Sequence, residues 1–321
     1  MRVLVTGATS LLGRAVATRL IERGTEVALL QRTTSGLDAD EHLGEITDPA
    51  VAANAATGAH AVVHLAARVA VVGVWDDFYR TNVAGTRTIL DAARAAGSTR
   101  FVQVSSPSVA HSGASLVGAP AEPADPAGAR GHYARSKAIA EQLVLAVPDM
   151  AVVAVRPHLV WGPGDTQLVG RIVERARRGR LAVVASGMAL IDTTDIDNAA
   201  DAIVAALDTA PDLSGRALVI SNGEPRTVQE LFDRIATAAG VAPAQLKVPG
   251  LIARAGGTAA EWLWNRTGRS GDPPMTRFLA EQLSTAHWFD QRETRHLLGW
   301  RPAVTLDEGF RRLTAWYSAG A

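Results

Sequence analysis

Short apolar runs alternate with longer stretches of helical period through the first half of the chain. Arg2–Thr6 reads as a short buried strand and Leu11–Arg23 as a helix. Val27–Leu30 predicts a second strand and Leu43–Ile46 a short third one. Ala61–Ala66, Phe101–Val104 and Ala151–Val155 are further apolar runs, while Trp75–Ala96 and Ala134–Ala146 carry helical patterns. Apolar strands alternating with helices imply a parallel sheet covered on both faces. The expected fold is therefore α/β, a doubly wound Rossmann-type sheet.

The pattern changes after Arg156, where Pro157, Gly162, Pro163 and Gly164 interrupt it. Ile196–Leu207 and Ala217–Ser221 again read as helix and strand. This predicts a dinucleotide-binding domain over 1–158 and 190–222. A smaller, discontinuous substrate-binding region would span 159–189 and 223–321. Gly113–Gly131, rich in Ala, Pro and Gly, is expected to be a surface loop.

Composition narrows the chemistry. Lys+Arg and Asp+Glu are 32 each, so no basic surplus points to nucleic acid or an anionic membrane. The absence of cysteine excludes disulfides and thiol nucleophiles and fits a reducing cytoplasm. With the first strand starting at Arg2, a signal peptide is not expected, and no run of about 18 apolar residues would span a bilayer. Histidines at metal-binding helical spacing are absent, so no metal is predicted.

Three segments carry candidate chemistry. Thr6-Gly7-Ala8-Thr9-Ser10-Leu11-Leu12-Gly13 follows the first strand and opens a helix, a joint at which backbone amides can meet a pyrophosphate. Its spacing fits Gly-x-x-Gly-x-x-Gly with Ser10 at the middle position, and the Ser10 hydroxyl is a candidate phosphate donor. Gln31-Arg32-Thr33-Thr34-Ser35 ends the second strand with no acid for a ribose 2′-hydroxyl. Arg32 there favours NADP(H) over NAD(H). Tyr133 and Lys137 stand four apart on a predicted helix and so share a face. A lysine ammonium beside a phenol is expected to bring the tyrosine's proton exchange below its ordinary value of about 10.

In this order the segments resemble the extended short-chain dehydrogenases/reductases of the epimerase/dehydratase superfamily, over essentially the whole chain. Glu45-Ile46 is similar to the pair flanking the adenine, and His64-Leu65-Ala66-Ala67 to the strand end beside the cofactor. Asn82 matches the active-site helix, Ser106 in Ser105-Ser106-Pro107-Ser108-Val109 the catalytic serine, and Tyr133 with Lys137 the catalytic pair. Arg156-Pro157 matches the segment beside the nicotinamide, and Leu298-Gly299-Trp300-Arg301-Pro302 also resembles the family. The resemblance implies catalysis by Ser106, Tyr133, Lys137 and Asn82, with Asn82 relaying protons. It implies cofactor contacts from Gly7, Thr9, Ser10, Leu11, Leu12, Gly13, Arg32, Glu45, Ile46, Leu65, Ala66, Ala67, Tyr133, Lys137, Pro157 and His158. Ser105 is the rival for Ser106. A homodimer pairing the helices of Asn82 and Tyr133 is also implied.

Two departures narrow the branch. Sugar-nucleotide enzymes carry an asparagine where this chain has Leu159, and leucine cannot donate to a phosphate. Dehydratases keep an acid beside the catalytic hydroxyl, where this chain has Pro107 and Ser108. Ser105–Val109, Arg156–Asp165 and Ile191–Ala199 resemble the 3β-hydroxysteroid dehydrogenase-like branch, most of all bacterial 2-alkyl-3-ketoalkanoate reductases. The implied substrate is an apolar ketone or alcohol: a β-keto acid, a 2-alkyl-3-oxoalkanoate or a steroid-like ketone. Ser108, His158 and Trp161 are its candidate contacts. Arg68, His111 and Arg130 are further groups able to meet a carboxylate, and the apolar stretch Leu251–Trp264 is a candidate pocket lining or membrane contact. A sugar-nucleotide epimerase/reductase, an NAD-dependent 3β-hydroxysteroid or sterol-4-carboxylate dehydrogenase, and a non-catalytic redox-sensing binder stay open as alternatives.

Overall fold

The computed structural model describes residues 1–70, 72–111, 113–244, 246–267 and 275–320, with Asn265 and Phe278 described by backbone alone. A seven-stranded, all-parallel sheet forms the centre. Its spatial order is Arg216–Ile220, Ala151–Pro157, Arg100–Val104, Ala61–His64, Arg2–Thr6, Glu26–Gln31 and Asp40–Leu43. The first strand lies between the second and the fourth, so the winding reverses there, and ligands of such sheets bind outside the carboxyl ends at that crevice.

The alternation of side chains along each strand builds a core on both faces. Val3 and Val5 pack with Leu29, Val63 and Val102 under the helices Leu11–Glu22 and Ile196–Thr209. Leu4 and Leu30 pack with Val62, Phe101 and Val152 under Pro49–Ala56 and Gly85–Ala95. A third core gathers Trp161, Ile172, Val183, Leu231, Phe232 and Phe310 beyond the sheet's carboxyl edge.

Three expectations change. The third strand is Asp40–Leu43, not Leu43–Ile46. It is a partly exposed edge strand of sequence Asp-Glu-His-Leu, so no apolar run marks it. The expected loop Gly113–Gly131 contains a strand, Leu116–Ala119, paired in parallel with His287–Phe289. Its partner lies so far along the chain that no local pattern reveals it. Gly118, at φ +59, lies beneath the Trp288 ring, where a Cβ would stand 3.1 Å from Cη2. Leu251–Trp264 lies in the helix Gly250–Thr267, which exposes Leu251, Ile252 and Trp262 and lines neither cavity described below. No helix among the described residues is long and apolar enough to cross a membrane.

Candidate active site

The loop after the first strand opens a cleft because its glycines allow close approach. Gly7 holds φ +80, and a Cβ there would meet Ala66 N at 2.9 Å. A Cβ on Gly13 would fall 2.2 Å from Gly7 O, so Gly13 lets the helix dock onto the loop and does not face the cleft. Ser10 is the helix N-cap. Its hydroxyl donates to Gly7 O at 2.8 Å and accepts from Gly13 N at 3.1 Å. That hydroxyl was expected to reach a phosphate, but here it is committed to its own loop.

The cleft encloses about 770 Å³. Gly7, Thr9, Ser10, Leu11 and Leu12 line its floor, Arg32, Glu45 and Ile46 one end, and Leu65, Ala66 and Ala67 the middle. The other end is formed by Ser106, Tyr133, Lys137 and Pro157. At the Arg32 end, Glu41 accepts from Ser35 N at 2.8 Å and from Gln31 Nε2 at 3.0 Å, so it is held away from the cleft. Arg14 donates to the Ser35 carbonyl beside it.

A chain of buried hydrogen bonds stands behind the cleft. Thr6 Oγ1 meets His64 Nδ1 at 2.7 Å, and His64 Nε2 meets Thr86 Oγ1 at 3.0 Å. Thr86 donates to Asn82 O at 2.7 Å. Asn82 accepts from Arg68 N at 2.7 Å and donates to Arg68 O at 3.1 Å and Ser136 Oγ at 2.9 Å. Ser136 Oγ donates to Tyr133 O at 2.8 Å. Burial drives the His64 pKa down to about 3, so this ring is neutral and structural. Asn82 sits in a π-helical segment, Tyr79–Ala84, and its side chain lies behind the Tyr133 helix, in the wall of neither cavity.

The helix Gly131–Leu145 presents Tyr133, Lys137 and Glu141 one turn apart. Tyr133 is half-buried and hydrogen-bonds Ser106, whose Oγ lies 2.9 Å from Ser108 Oγ. The rival Ser105 has a buried hydroxyl without a hydrogen-bond partner. Lys137 Nζ donates to Val104 O at 2.6 Å. Burial pushes the Tyr133 phenol up to about 12, partly opposed by Ser106. That is opposite to the lowering expected from a neighbouring ammonium: removal from water is the larger cause, and the group that opposes it is Ser106, not Lys137. Burial also brings Lys137 down to about 8, opposed by Glu141. Glu141 forms a buried ion pair with Arg156, with Nε 3.0 Å from Oε2, and Arg156 Nη1 donates to Glu122 O at 2.7 Å. Glu141 was not foreseen. An acid one turn beyond Lys137 on an otherwise alanine-rich face was its only signal.

A second cavity, of about 280 Å³, adjoins the cleft and shares Ser106, Tyr133, Pro157, Leu159 and Leu168 with it. Ile172, Ile191, Val228, Leu231 and Phe232 make its far wall. Ser108, His158 and Trp161 all line it. His158 lies here and not in the cleft. Trp161 is fully buried, donates Nε1–H to Thr193 Oγ1 at 3.0 Å and stacks on Phe310. His111 and His287 also line the cavity. Arg68 instead lines the cleft, 3.5 Å from Asp77, and Arg130 lies 3.9 Å from Glu281. Leu159 has φ 43, a left-handed backbone that costs a leucine energy.

The chain is similar to known proteins. The profile of the NAD dependent epimerase/dehydratase family matches residues 3–221. The chain is 40% identical to a 2-alkyl-3-oxoalkanoate reductase of Stenotrophomonas maltophilia, over 98% of this chain and 99% of that protein. It is 31% identical to a 3 beta-hydroxysteroid dehydrogenase/Delta 5-->4-isomerase of Mycobacterium tuberculosis, over 98% and 90%. The crystal structure of gox2253 superposes with a TM-score of 0.79 at 27% identity, covering 99% of this chain and 98% of that one.

Proposed function

Because the chain belongs to the NAD dependent epimerase/dehydratase family, we propose that it is an NADP(H)-dependent ketoreductase/alcohol dehydrogenase acting on an apolar ketone and its secondary alcohol. The observation that carries this reading is the junction of two unlike cavities at Ser106 and Tyr133. The larger has the size and the helix N-terminus a dinucleotide needs, and the smaller is walled by aliphatic and aromatic side chains. Arg32 lines the end where a 2′-phosphate would lie, and Glu41 is engaged elsewhere.

The nicotinamide would supply or accept the hydride. Tyr133 gives or takes the hydroxyl proton. Ser106 orients the substrate oxygen beside it, and Ser108 holds Ser106. Lys137, fixed by Val104 O, supplies positive charge next to the phenol when a ligand completes the site. Asn82 is assigned a positioning role, since its side chain locks the Tyr133 helix to the Arg68 loop. Residues 159–189 and 223–321 form the substrate-binding region, and pairing of the Asn82 and Tyr133 helices in a homodimer completes the proposal.

The relative's 2-alkyl-3-oxoalkanoate reduction is the preferred substrate class. The test is cofactor oxidation with NADPH and NADH over 2-alkyl-3-oxoalkanoates, β-keto esters and steroid ketones. Turnover with NADPH on aliphatic ketones is expected. Preference for NADH, or displacement of substrate by UDP, would overturn the cofactor or the substrate assignment respectively.

A further inference from the structure

The helix Gly250–Thr267 is 18 residues long, and only one of its sides is buried. At about 3.6 residues per turn, Ala253, Gly257 and Ala260 share that side. It packs on the helix Arg277–Gln282. A Cβ on Gly257 would fall 2.5 Å from Thr276 C, Ala253 and Ala280 belong to one core, and Glu261 accepts from Arg277 N at 2.9 Å. The opposite side carries Leu251, Ile252, Ala255, Ala259, Trp262 and Leu263, all of them exposed. Leu251 is 81% exposed, Ile252 63% and Trp262 62%. A surface helix ordinarily turns charged and polar residues to water there. A contiguous apolar strip in their place marks a contact surface.

Charge says what covers it. The whole chain is neutral, but residues 246–267 carry Lys247, Arg254 and Arg266 against the single acid Glu261. The three cations are exposed, while Glu261 is half-buried and turned to the Arg277 amide. The Arg266 guanidinium lies 5.5 Å from the centroid of the Trp262 ring, so a cation borders the apolar strip itself. Leucine, isoleucine and tryptophan on one side with lysine and arginine along its border is the pattern of a helix lying in the interface of an anionic bilayer. A second copy of the chain fits the strip less well. Ala255, Gly256 and Ala259 stand between the large side chains at its two ends, and such a strip offers less than the about 800 Å² that each partner buries in a stable dimer.

We propose that this helix seats the protein on an anionic lipid surface, lying along it without crossing. Leu251, Ile252, Trp262 and Leu263 enter the acyl boundary, and Lys247, Arg254 and Arg266 meet the lipid phosphates. The helix beneath contributes Leu279 and Gln282 to the wall of the apolar cavity, and Leu283 follows them. The seated face is thus one helix away from that cavity, which gives an apolar ligand dissolved in the bilayer a short path to it. The inference goes beyond the ketoreductase reading and stands without it.

The test is co-sedimentation of the full chain with vesicles of phosphatidylcholine alone and of phosphatidylcholine mixed with phosphatidylglycerol, at low and at high salt. The protein is expected to bind the mixed vesicles at low salt, and at least about tenfold more weakly when the anionic lipid is left out or salt is raised. Trp262→Ser and Ile252→Ser should each weaken binding by about tenfold, since each withdraws one large side chain from the acyl boundary. Arg254→Gln combined with Arg266→Gln should remove most of the salt dependence and leave binding to phosphatidylcholine as it was. All these variants should keep their affinity for the cofactor, because none of the altered residues lines either cavity. No binding to the mixed vesicles, or binding that Trp262→Ser and Ile252→Ser leave intact, would overturn the inference. So would a dimer that dissociates in those two variants, which puts a second copy on the strip. A protein that reduces no ketone yet binds vesicles through Trp262 sinks the ketoreductase reading and keeps this one.

Discussion

The cleft proposed for the dinucleotide and the cavity proposed for the substrate share Ser106 and Tyr133, yet their walls are built differently. Behind the cleft, Thr6, His64, Thr86, Asn82 and Ser136 satisfy one another in an unbroken chain. The cavity wall is mostly aliphatic and leaves three histidine nitrogens unpaired. That hydrogen-bond chain holds one geometry for a constant ligand, although Ser105 Oγ and Gln31 Oε1 in the cleft's own wall are unpaired. An apolar wall discriminates by fit, because a ligand that does not fill it forgoes apolar burial.

Removing the proposed proton donor tests the junction most severely. Tyr133→Phe keeps the ring and the packing but deletes the hydroxyl that meets Ser106. Turnover should fall by about 10²–10⁴-fold, while cofactor binding, followed by fluorescence titration, persists. Retained ketone reduction would mean that the two cavities do not meet at the reacting atom.

The next effect lies on the cleft side alone. Glu141 and Arg156, each 1% exposed, tie the Tyr133 helix to the strand Ala151–Pro157. Glu141→Gln leaves Arg156 buried without its counter-charge and should cost about 3–5 kcal/mol in urea unfolding. Asp149→Asn, breaking the exposed pair with Arg94, should cost far less, because water screens that pair. Equal costs would show that the cleft's scaffold does not depend on its buried pair.

How legible each wall was follows from the same difference. The cleft uses strand ends and their next few residues, so Gly7, Arg32, Ala66 and Lys137 could be found from local patterns. The cavity uses contacts between segments far apart in the chain, such as Leu116–Ala119 beside His287–Phe289, and no window of sequence joins them. His287 was therefore missed, while His158 was found because it adjoins Pro157. Ionisation was the least legible property. Tyr-x-x-x-Lys spacing predicts a lowered phenol, but burial decides the sign, and burial is tertiary.

The pH dependence separates Lys137, which lines the cleft alone, from the shared Tyr133 by sign. Lys137 is held at about 8 rather than its ordinary 10.5, so between those values the unfolded chain binds the proton that the folded one has lost. Lys137 therefore makes stability rise as pH climbs from 8 toward 10.5. Tyr133, at about 12 rather than 10, works oppositely, so its contribution falls as pH rises above 10. The chain has only two lysines, Lys137 and Lys247, so nitrogen-labelled lysine gives two side-chain signals. One should titrate near 8 and vanish in Lys137→Met. The absence of any signal titrating near 8 would place Lys137 in water.

The smallest expected effect lies at the seam itself. Leu159 lines both cavities and holds a left-handed backbone, with its carbonyl accepting from Thr194 N at 3.2 Å. A leucine in this region costs about 1–3 kcal/mol, and glycine carries no such cost. Leu159→Gly should therefore recover about 1 kcal/mol after the lost burial of a side chain that is 37% exposed. Asparagine also tolerates this backbone and would add a donor. Leu159→Asn should then keep the stability gain, weaken aliphatic ketones and strengthen UDP binding. If both variants lose stability, the leucine packs well enough to outweigh its strain, and the seam belongs to the apolar cavity alone. If both gain it, the strain is held for what the side chain does to the ligand, and the KM for aliphatic ketones must rise with it.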